Sequence, residues 1–363
     1  MASSLSLQSG GWLRTKYIGE ALAAAGWSVS YVPPHGKAWV KSLDCLVSLP
    51  RYALHPLNEE IDVVMANKPL PNTLALLVRG VRKGIFTVLD LDDDDTAMAG
   101  PLFAPLVKWV SSFVVSRTDL ITTHNELLAD HLSRLYDLPR DRIYLLKQGV
   151  NARFLLANQN PGEPCPDPRV RQWKRDGKQI LFFMAHLNAA SELSVILDGF
   201  QHLMRRTDEY RLLVVGGGIR LEAYKKQAAR RGLAGLAHFT GALDVDGVIA
   251  YLRAADLCVL FYPDTPYNRF RESMKLREYL ALAKTVACNT AGNLAEFSPF
   301  CHALPNDPRE FAAQLGARVG RDLVADGREE RGRSYVSKHY DWDVIGGQLA
   351  TRLRAELEKK RIT

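Results

Sequence analysis

Residues 256–288 read DLCVLFYPDTPYNRFRESMKLREYLALAKTVAC, and the order of patterns inside them decides the fold. The run DLCVLFY is apolar, favours a strand, and ends at a proline. Ser273 stands where a helix N-cap belongs, and Leu276, Leu280 and Ala283 follow at the i, i+4, i+7 spacing of one buried helical face. Positions 281–284 close that helix, and TVAC has the content of a second short buried strand. Strand, helix, strand is the repeat of a parallel α/β sheet. Lys275 and Glu278 fall three apart in the first turn, on one exposed edge. Two readings stay open at this point. The two residues form an i,i+3 ion pair worth roughly 0.2–0.5 kcal/mol, or they flank an anion site, because helix N-termini attract phosphate through free N–H groups and the macrodipole.

The same alternation runs outward to both ends. Before the middle of the chain, WSVSYV (27–32), DCLVSL (44–49), DVVMA (62–66), IFTVLDL (85–91), DLITT (119–123) and RIYLL (142–146) read as strands, with helical patterns at 13–25, 70–82, 103–115 and 126–136. After it, QILFFMA (179–185), RLLVVG (211–216), AHFTG (237–241), DLCVLFY and TVAC repeat the scheme. Between them ANQNPGEPCPDP (157–168) is rich in Pro, Asn and Gly, lacks periodicity, and reads as a linker. The expected organisation is a domain over 1–156, the linker 157–168, a second domain over 169–345, and a last helix, 346–363, packing back toward the first. Both domains are expected to be Rossmann-like α/β units with parallel sheets facing across a cleft. Ligands of such sheets bind beyond the carboxyl ends of strands. The positions to weigh are therefore those just after strands.

Composition narrows the function classes. The chain of 363 residues is long for one average domain, and 47% hydrophobic with 24% charged residues is ordinary for a globular protein. No apolar run approaches the roughly 18–20 residues that span a bilayer, and the first nine residues lack a basic leader region. Five scattered cysteines without a CxxC pair suit reduced thiols, a cytoplasmic location and no structural zinc. Of the net charge of +7, residues 156–363 carry +6 (31 Lys/Arg against 25 Asp/Glu). That excess suits a phosphorylated ligand and allows weak peripheral membrane contact. No basic stripe interleaved with aromatics points to nucleic acid, and nothing in the sequence names a partner protein.

Several post-strand positions offer chemistry. Gly10 and Gly11 precede a helix that ends at Gly26, so their backbone can approach a phosphate closely, or they form an ordinary turn. LDLDDDDTA holds carboxylates at position 90 and from Asp92 to Asp95. Asp92 and Asp93, nearest the strand end, are the candidates for Mg²⁺ or for a general base, while Asp94 and Asp95 suit a solvated loop and a helix cap. His124 can hydrogen-bond a sugar hydroxyl, and Asn125 suits an N-cap. His186 and Asn188 follow the strand at 179–185, and Gly241 ends the one at 237–241. The triplet at 216–218 needs small residues only for a tight turn. No GxGxxG dinucleotide fingerprint occurs.

In order and spacing these segments resemble the GT-B glycosyltransferases, in particular the family-4-like group, glycosyltransferase group 1. The resemblance rests on SGGWLRTKYIGEALAAAGWSVSYV, on DLITTHNELLADHLSRLYDLPRDRIYLLKQGVNARF, on RLLVVGGG, HFTGAL and VIAYLRAADLCVLFY in turn, on MKLREYLALAKTVACN, and on HYDWDVIGGQLATRL. It implies that Glu278 binds the ribose hydroxyls of a nucleotide-sugar donor, that Lys275 meets the diphosphate with help from Ser273, and that the backbone at Gly241 meets the nucleobase. The nucleotide sugar is then a co-substrate, no metal or other cofactor is required, and the acceptor is unnamed.

Two departures bear on that implication. Many members carry two glutamates seven residues apart, and the earlier position here is Phe270. Many carry an Arg and a Lys in the first loop of the second domain, where His186 and Ser191 stand. Lys275, Arg269 or Arg271 would have to supply the missing charge. The expected function is glycosyl transfer, retaining and metal-independent; an inverting enzyme would use Asp92 or Asp93 as base. A nucleotide-sugar epimerase of the same fold and a degenerate nucleotide- or sugar-binding protein are the alternatives.

Overall fold

The computed structural model describes residues 1–3, 10–33, 46–98, 100–157, 165–188 and 192–362. By contacts the chain divides into two compact units. The first comprises Met1–Gly149, Phe270–Glu272 and Trp342–Thr363, and the second Val150–Arg269 and Ser273–Asp341. Most of the expected linker, 158–164, lies outside the described residues.

Among the described residues the first unit is built on a five-stranded parallel sheet in sequential order, β1 Ala2–Ser3, β2 Val63–Asn67, β3 Phe86–Asp90, β4 Leu120–Thr123 and β5 Ile143–Leu145. Its central strands are buried on both faces, which is why they read as continuous apolar runs. On one face Ala66, Leu89 and Ile121 pack with Leu77, Val114 and Leu128. On the other, Met65, Val88 and Leu120 meet Ile18 and Leu22 of the helix Gly10–Ala24, and Ile345, Leu349 and Leu353 of the helix Trp342–Ile362.

Among the described residues the second unit has six strands, β6 Gln179–Met184, β7 Tyr210–Val215, β8 Ala237–Phe239, β9 Leu257–Leu260, β10 Val286–Asn289 and β11 His302–Leu304. They form one parallel sheet in the order β11-β10-β9-β6-β7-β8. Odd and even residues of β6 go to opposite cores. Ile180, Phe182 and Met184 join Leu276, Tyr279 and Leu280 of the helix Met274–Ala281, whereas Leu181 and Phe183 join Leu197, Phe200 and Phe311. Burying Leu276 and Leu280 stabilises the seat of that helix by roughly 1.5–3 kcal/mol each.

Local expectations fail at four places. Leu46, Val47 and the segment Leu49–Leu54 are helical, not extended, with Pro50 in the first turn, where a missing N–H costs nothing. Within 27–32 only Val32 bridges, its N–H reaching the Met1 carbonyl at 2.8 Å. β11 carries three residues, too few for a period to show. Ala283 is outside its helix, with φ +49°, and ends the chain's turn rather than extending the buried stripe.

Candidate functional site

In the second unit the candidate residues lie where the sheet's carboxyl edge meets the helix Met274–Ala281. Ser273 caps that helix, its Oγ accepting from the N–H of Leu276 at 3.2 Å. The hydroxyl of Tyr262, just after β9, lies 3.2 Å from Ser273 Oγ, and the Lys275 ammonium sits 5.9 Å from the Tyr262 ring centre. Tyr279 fixes the other side of the helix, its hydroxyl oxygen accepting from the Met184 N–H at 3.0 Å. Lys275 and Glu278 are half-buried rather than exposed, and Glu278 stands in the second turn. Burial pushes its carboxyl up to about 7, against the pull of Lys275 and Arg277. Carboxyls shifted in this way cluster at functional sites.

Next along the edge, the loop after β6 leans on the glycine turn after β7. The N–H of Ala185 bonds the Val215 carbonyl at 3.0 Å, and that of Leu187 bonds Gly217 at 2.9 Å. Gly216 and Gly218 have φ +133° and +151°, and a Cβ on either would overlap the carbonyl oxygen of Ala185 or Leu187. These glycines are required by close packing and by backbone conformation. The loop presents His186 exposed and Asn188 half-buried. Ser191 lies outside the described residues. Gly241, after β8, has φ +78°, and its carbonyl accepts from the Gly216 N–H at 2.9 Å. His186, Asn188, Gly241, Ser273, Lys275 and Glu278 thus follow neighbouring strands of one sheet or open the helix beside it.

The first unit holds the remaining candidates. Gly10 and Gly11 are the first residues of the helix Gly10–Ala24, not a loop before it, so their N–H groups belong to a first turn. Arg14, one turn on, is fully buried and grips Asp90 through two bonds of 2.7 and 2.9 Å. The acidic loop is closed by a residue that sequence reading missed. Lys68, buried and with φ +66°, reaches Asp92 at 3.0 Å, Asp93 at 2.7 Å and Asp95 at 3.2 Å. Burial alone would lower the Lys68 ammonium, but the three carboxylates hold it well above its usual range. Burial raises Asp92, yet the charges of Lys68, Arg14 and His124 outweigh it and hold the carboxyl below its usual value. Asp95 goes the other way, pushed by burial to about 6. Asp94 is paired with His131 at 2.7 Å and accepts from the Ala97 N–H at 2.9 Å. Asp92, Asp93 and Asp95 are therefore a half-buried ion cluster around Lys68, and Asp94 caps the short helix that follows, as expected of that position.

Phe270–Glu272 also pack with the first unit. The Phe270 ring stacks on His131 with centres 4.6 Å apart. Its carbonyl oxygen lies 2.9 Å from His124 Nε2 and accepts from Asn125 Nδ2 at 2.8 Å. Asn125 also N-caps the helix Glu126–Tyr136 through Leu128. Arg271 sits in this same segment, grouped with the first unit while Ser273, Lys275 and Glu278 belong to the second. One further cluster could interest a metal, His302, Asp326 and Glu329, with ligand atoms within 4.8 Å of one another. Its carboxylates are engaged already, Glu329 by Thr285 and the Gly327 N–H, Asp326 by Arg328.

Two parallel-sheet units, each with polar residues after its strands, define the GT-B class of glycosyltransferase fold, and the similarity to solved structures agrees. Sucrose-phosphate synthase from Thermosynechococcus elongatus superposes with a TM-score of 0.74 at 14% identity, covering 98% of both chains. The Anabaena HepE protein in complex with UDP gives 0.69 at 12% identity, again over 98% of both. Residues 178–319 match the family described as Glycosyl transferases group 1, so the second unit carries the domain of that family. A phosphatidyl-myo-inositol mannosyltransferase of Mycobacterium tuberculosis is 26% identical over 195 residues, 50% of this chain and 48% of the relative. The chain thus spans about half the length of the curated relatives it matches first.

Proposed function

We propose that the chain is a glycosyltransferase that takes its sugar from a nucleoside-diphosphate donor bound by the second unit. The observation that carries this reading is the Ser273-capped helix at the carboxyl edge of the sheet, with Lys275 and a half-buried Glu278 on it. Glu278 accepts the vicinal ribose hydroxyls, and Gly241 borders the base. Lys275 and the positive end of the helix meet the diphosphate, where negative charge grows as the leaving group departs. Stabilising that charge is the largest barrier term in such a transfer.

His186 cannot replace an arginine as a permanent cation, so Lys275 takes the main share. The acceptor falls to the first unit, where His124 has spent Nε2 on Phe270 and keeps Nδ1 for a sugar hydroxyl. Asp92 makes a poor base, because Lys68 and Arg14 hold its carboxyl below the usual value and a useful base titrates near the working pH, while Asp93 is tied to the Lys68 ammonium at 2.7 Å. The same lysine fills the centre that a divalent cation would take. Both points favour retaining transfer without a protein base or a metal.

Calorimetry with UDP, GDP, ADP and dTDP tests the donor site. Glu278→Gln should weaken the best ligand by roughly 1–3 kcal/mol, the loss of a charged hydrogen-bond acceptor. Unchanged affinity would remove Glu278 from the site. Turnover should survive EDTA, and a complete loss restored by Mg²⁺ would overturn the metal-free reading.

A further inference from the structure

The helix Gly100–Val115 of the first unit carries an apolar stripe on the wrong side for a core. Leu102 is 82% exposed, Leu106 58%, Trp109 70% and Phe113 46%. Their spacing of four, three and four residues places them along one face, while Val114 and Val115 on the other side are buried in the unit. Single exposed apolar residues need no explanation, but a continuous stripe of four large ones does.

Charge identifies the occupant. Residues 100–117 contain Lys108 and Arg117 and no acid. Both basic residues are exposed. Arg117 is held at the end of the stripe, its guanidinium 3.8 Å from the Phe113 ring centre and bonded to the Phe113 carbonyl at 3.0 Å. Trp109 is at the middle, with an amphipathic ring of the kind that settles at the level of lipid headgroups. An apolar face with a tryptophan, basic residues and no acids is the make-up of a helix that lies in the plane of an anionic membrane surface. No helix among the described residues is long and apolar enough to cross a membrane.

We propose that the exposed face of Leu102, Leu106, Trp109 and Phe113 docks the protein on an anionic lipid bilayer, with Lys108 and Arg117 meeting the headgroups. The proposal does not depend on the donor site. Its test is co-sedimentation with vesicles of phosphatidylcholine mixed with phosphatidylglycerol, against vesicles of phosphatidylcholine alone. The full chain should partition to the mixed vesicles preferentially and be released by high salt. Leu106→Ser with Trp109→Ser should lower partition by roughly tenfold or more, from the apolar area withheld from lipid, with an unchanged melting temperature.

If that double variant does not fold, Lys108→Glu with Arg117→Glu serves instead and should abolish the preference for anionic lipid. Absence of binding to mixed vesicles would overturn the proposal, as would equal binding of either variant. Sedimentation velocity supplies the remaining arm. A wild-type dimer that the serine variant dissolves, with no vesicle binding by either, would assign the face to a second copy of the chain and overturn it too.

Discussion

Lys68 and Asp93 meet at 2.7 Å, and the same ammonium reaches Asp92 and Asp95 within 3.2 Å. The lysine side chain is 5% exposed. A single buried cation thus bridges three carboxylates of a loop that, read alone, looks built for a metal. The left-handed φ at Lys68 and the bond from its N–H to the Asp90 carbonyl at 2.9 Å place its side chain over the end of β3.

Replacing Lys68 by Met leaves Asp92, Asp93 and Asp95 crowded together without the ammonium they share. Breaking a buried ion cluster by removing one partner costs about 3–5 kcal/mol. Urea unfolding of Lys68→Met should show a loss of that size, and Ca²⁺ should restore part of it in the variant alone. Stability equal to wild type would show that the aspartates are held by solvent instead.

Gly216→Ala separates structural from functional glycines. The new methyl would run into the Ala185 carbonyl, at a φ of +133° that side chains rarely adopt. Strain of this kind costs about 1–3 kcal/mol before any repacking. The variant should melt lower without nucleotide and with it by similar amounts. A variant as stable as wild type would mean that the loop after β6 gives way easily.

Much of this architecture is legible in the sequence because parallel strands buried on both faces leave apolar runs, as in QILFFM and RLLVV. The helix Met274–Ala281 is legible because cap and apolar spacing agree. What stays hidden is of two kinds. Lys68 and its aspartates are 24 to 27 residues apart, and Arg14 is 76 residues from Asp90. Such pairs have no local signal, since only the fold brings them together. Short apolar segments are the other kind. Val47 and Leu49 fit a strand or a helix equally by period, and only Pro50 hinted at a first helical turn. Phe270 shows how a departure from a family pattern becomes intelligible only in three dimensions. At a position where an acid was expected, it stacks on His131 and joins the core of the first unit.

Glu278 gives a pH signature. Burial raises its carboxyl from the usual 4.5 to about 7, so the folded protein without ligand favours the neutral form. The stability this brings is complete below about pH 4.5 and is lost as the pH rises through about 7, where the charged form must be buried. Glu278→Gln cannot ionise and should not share that loss. The glutamine protein should therefore melt higher than wild type at pH 8 and about equally at pH 4, while binding nucleotide more weakly. Melting below wild type at both pH values would give Glu278 a structural role and remove the basis for this prediction.

On the proposed function Lys275 carries the heaviest demand, because His186 stands where the family resemblance implies an arginine. Its ammonium lies near the Tyr262 ring, half-buried, on the first turn of a helix, the end at which an anion is favoured. Two roles differ sharply in size. As a surface partner of Glu278 it contributes under about 1 kcal/mol. As the cation that meets a departing diphosphate, its loss should resemble removal of one oxyanion donor, roughly a hundredfold or more in kcat. Lys275→Ala should then turn over at least that much more slowly, with a melting temperature close to wild type. Lys275→Arg keeps the charge and should recover part of the rate. Normal turnover in the alanine variant, with only a lower melting temperature, would move the leaving-group role to another cation and leave Lys275 as part of the helix surface.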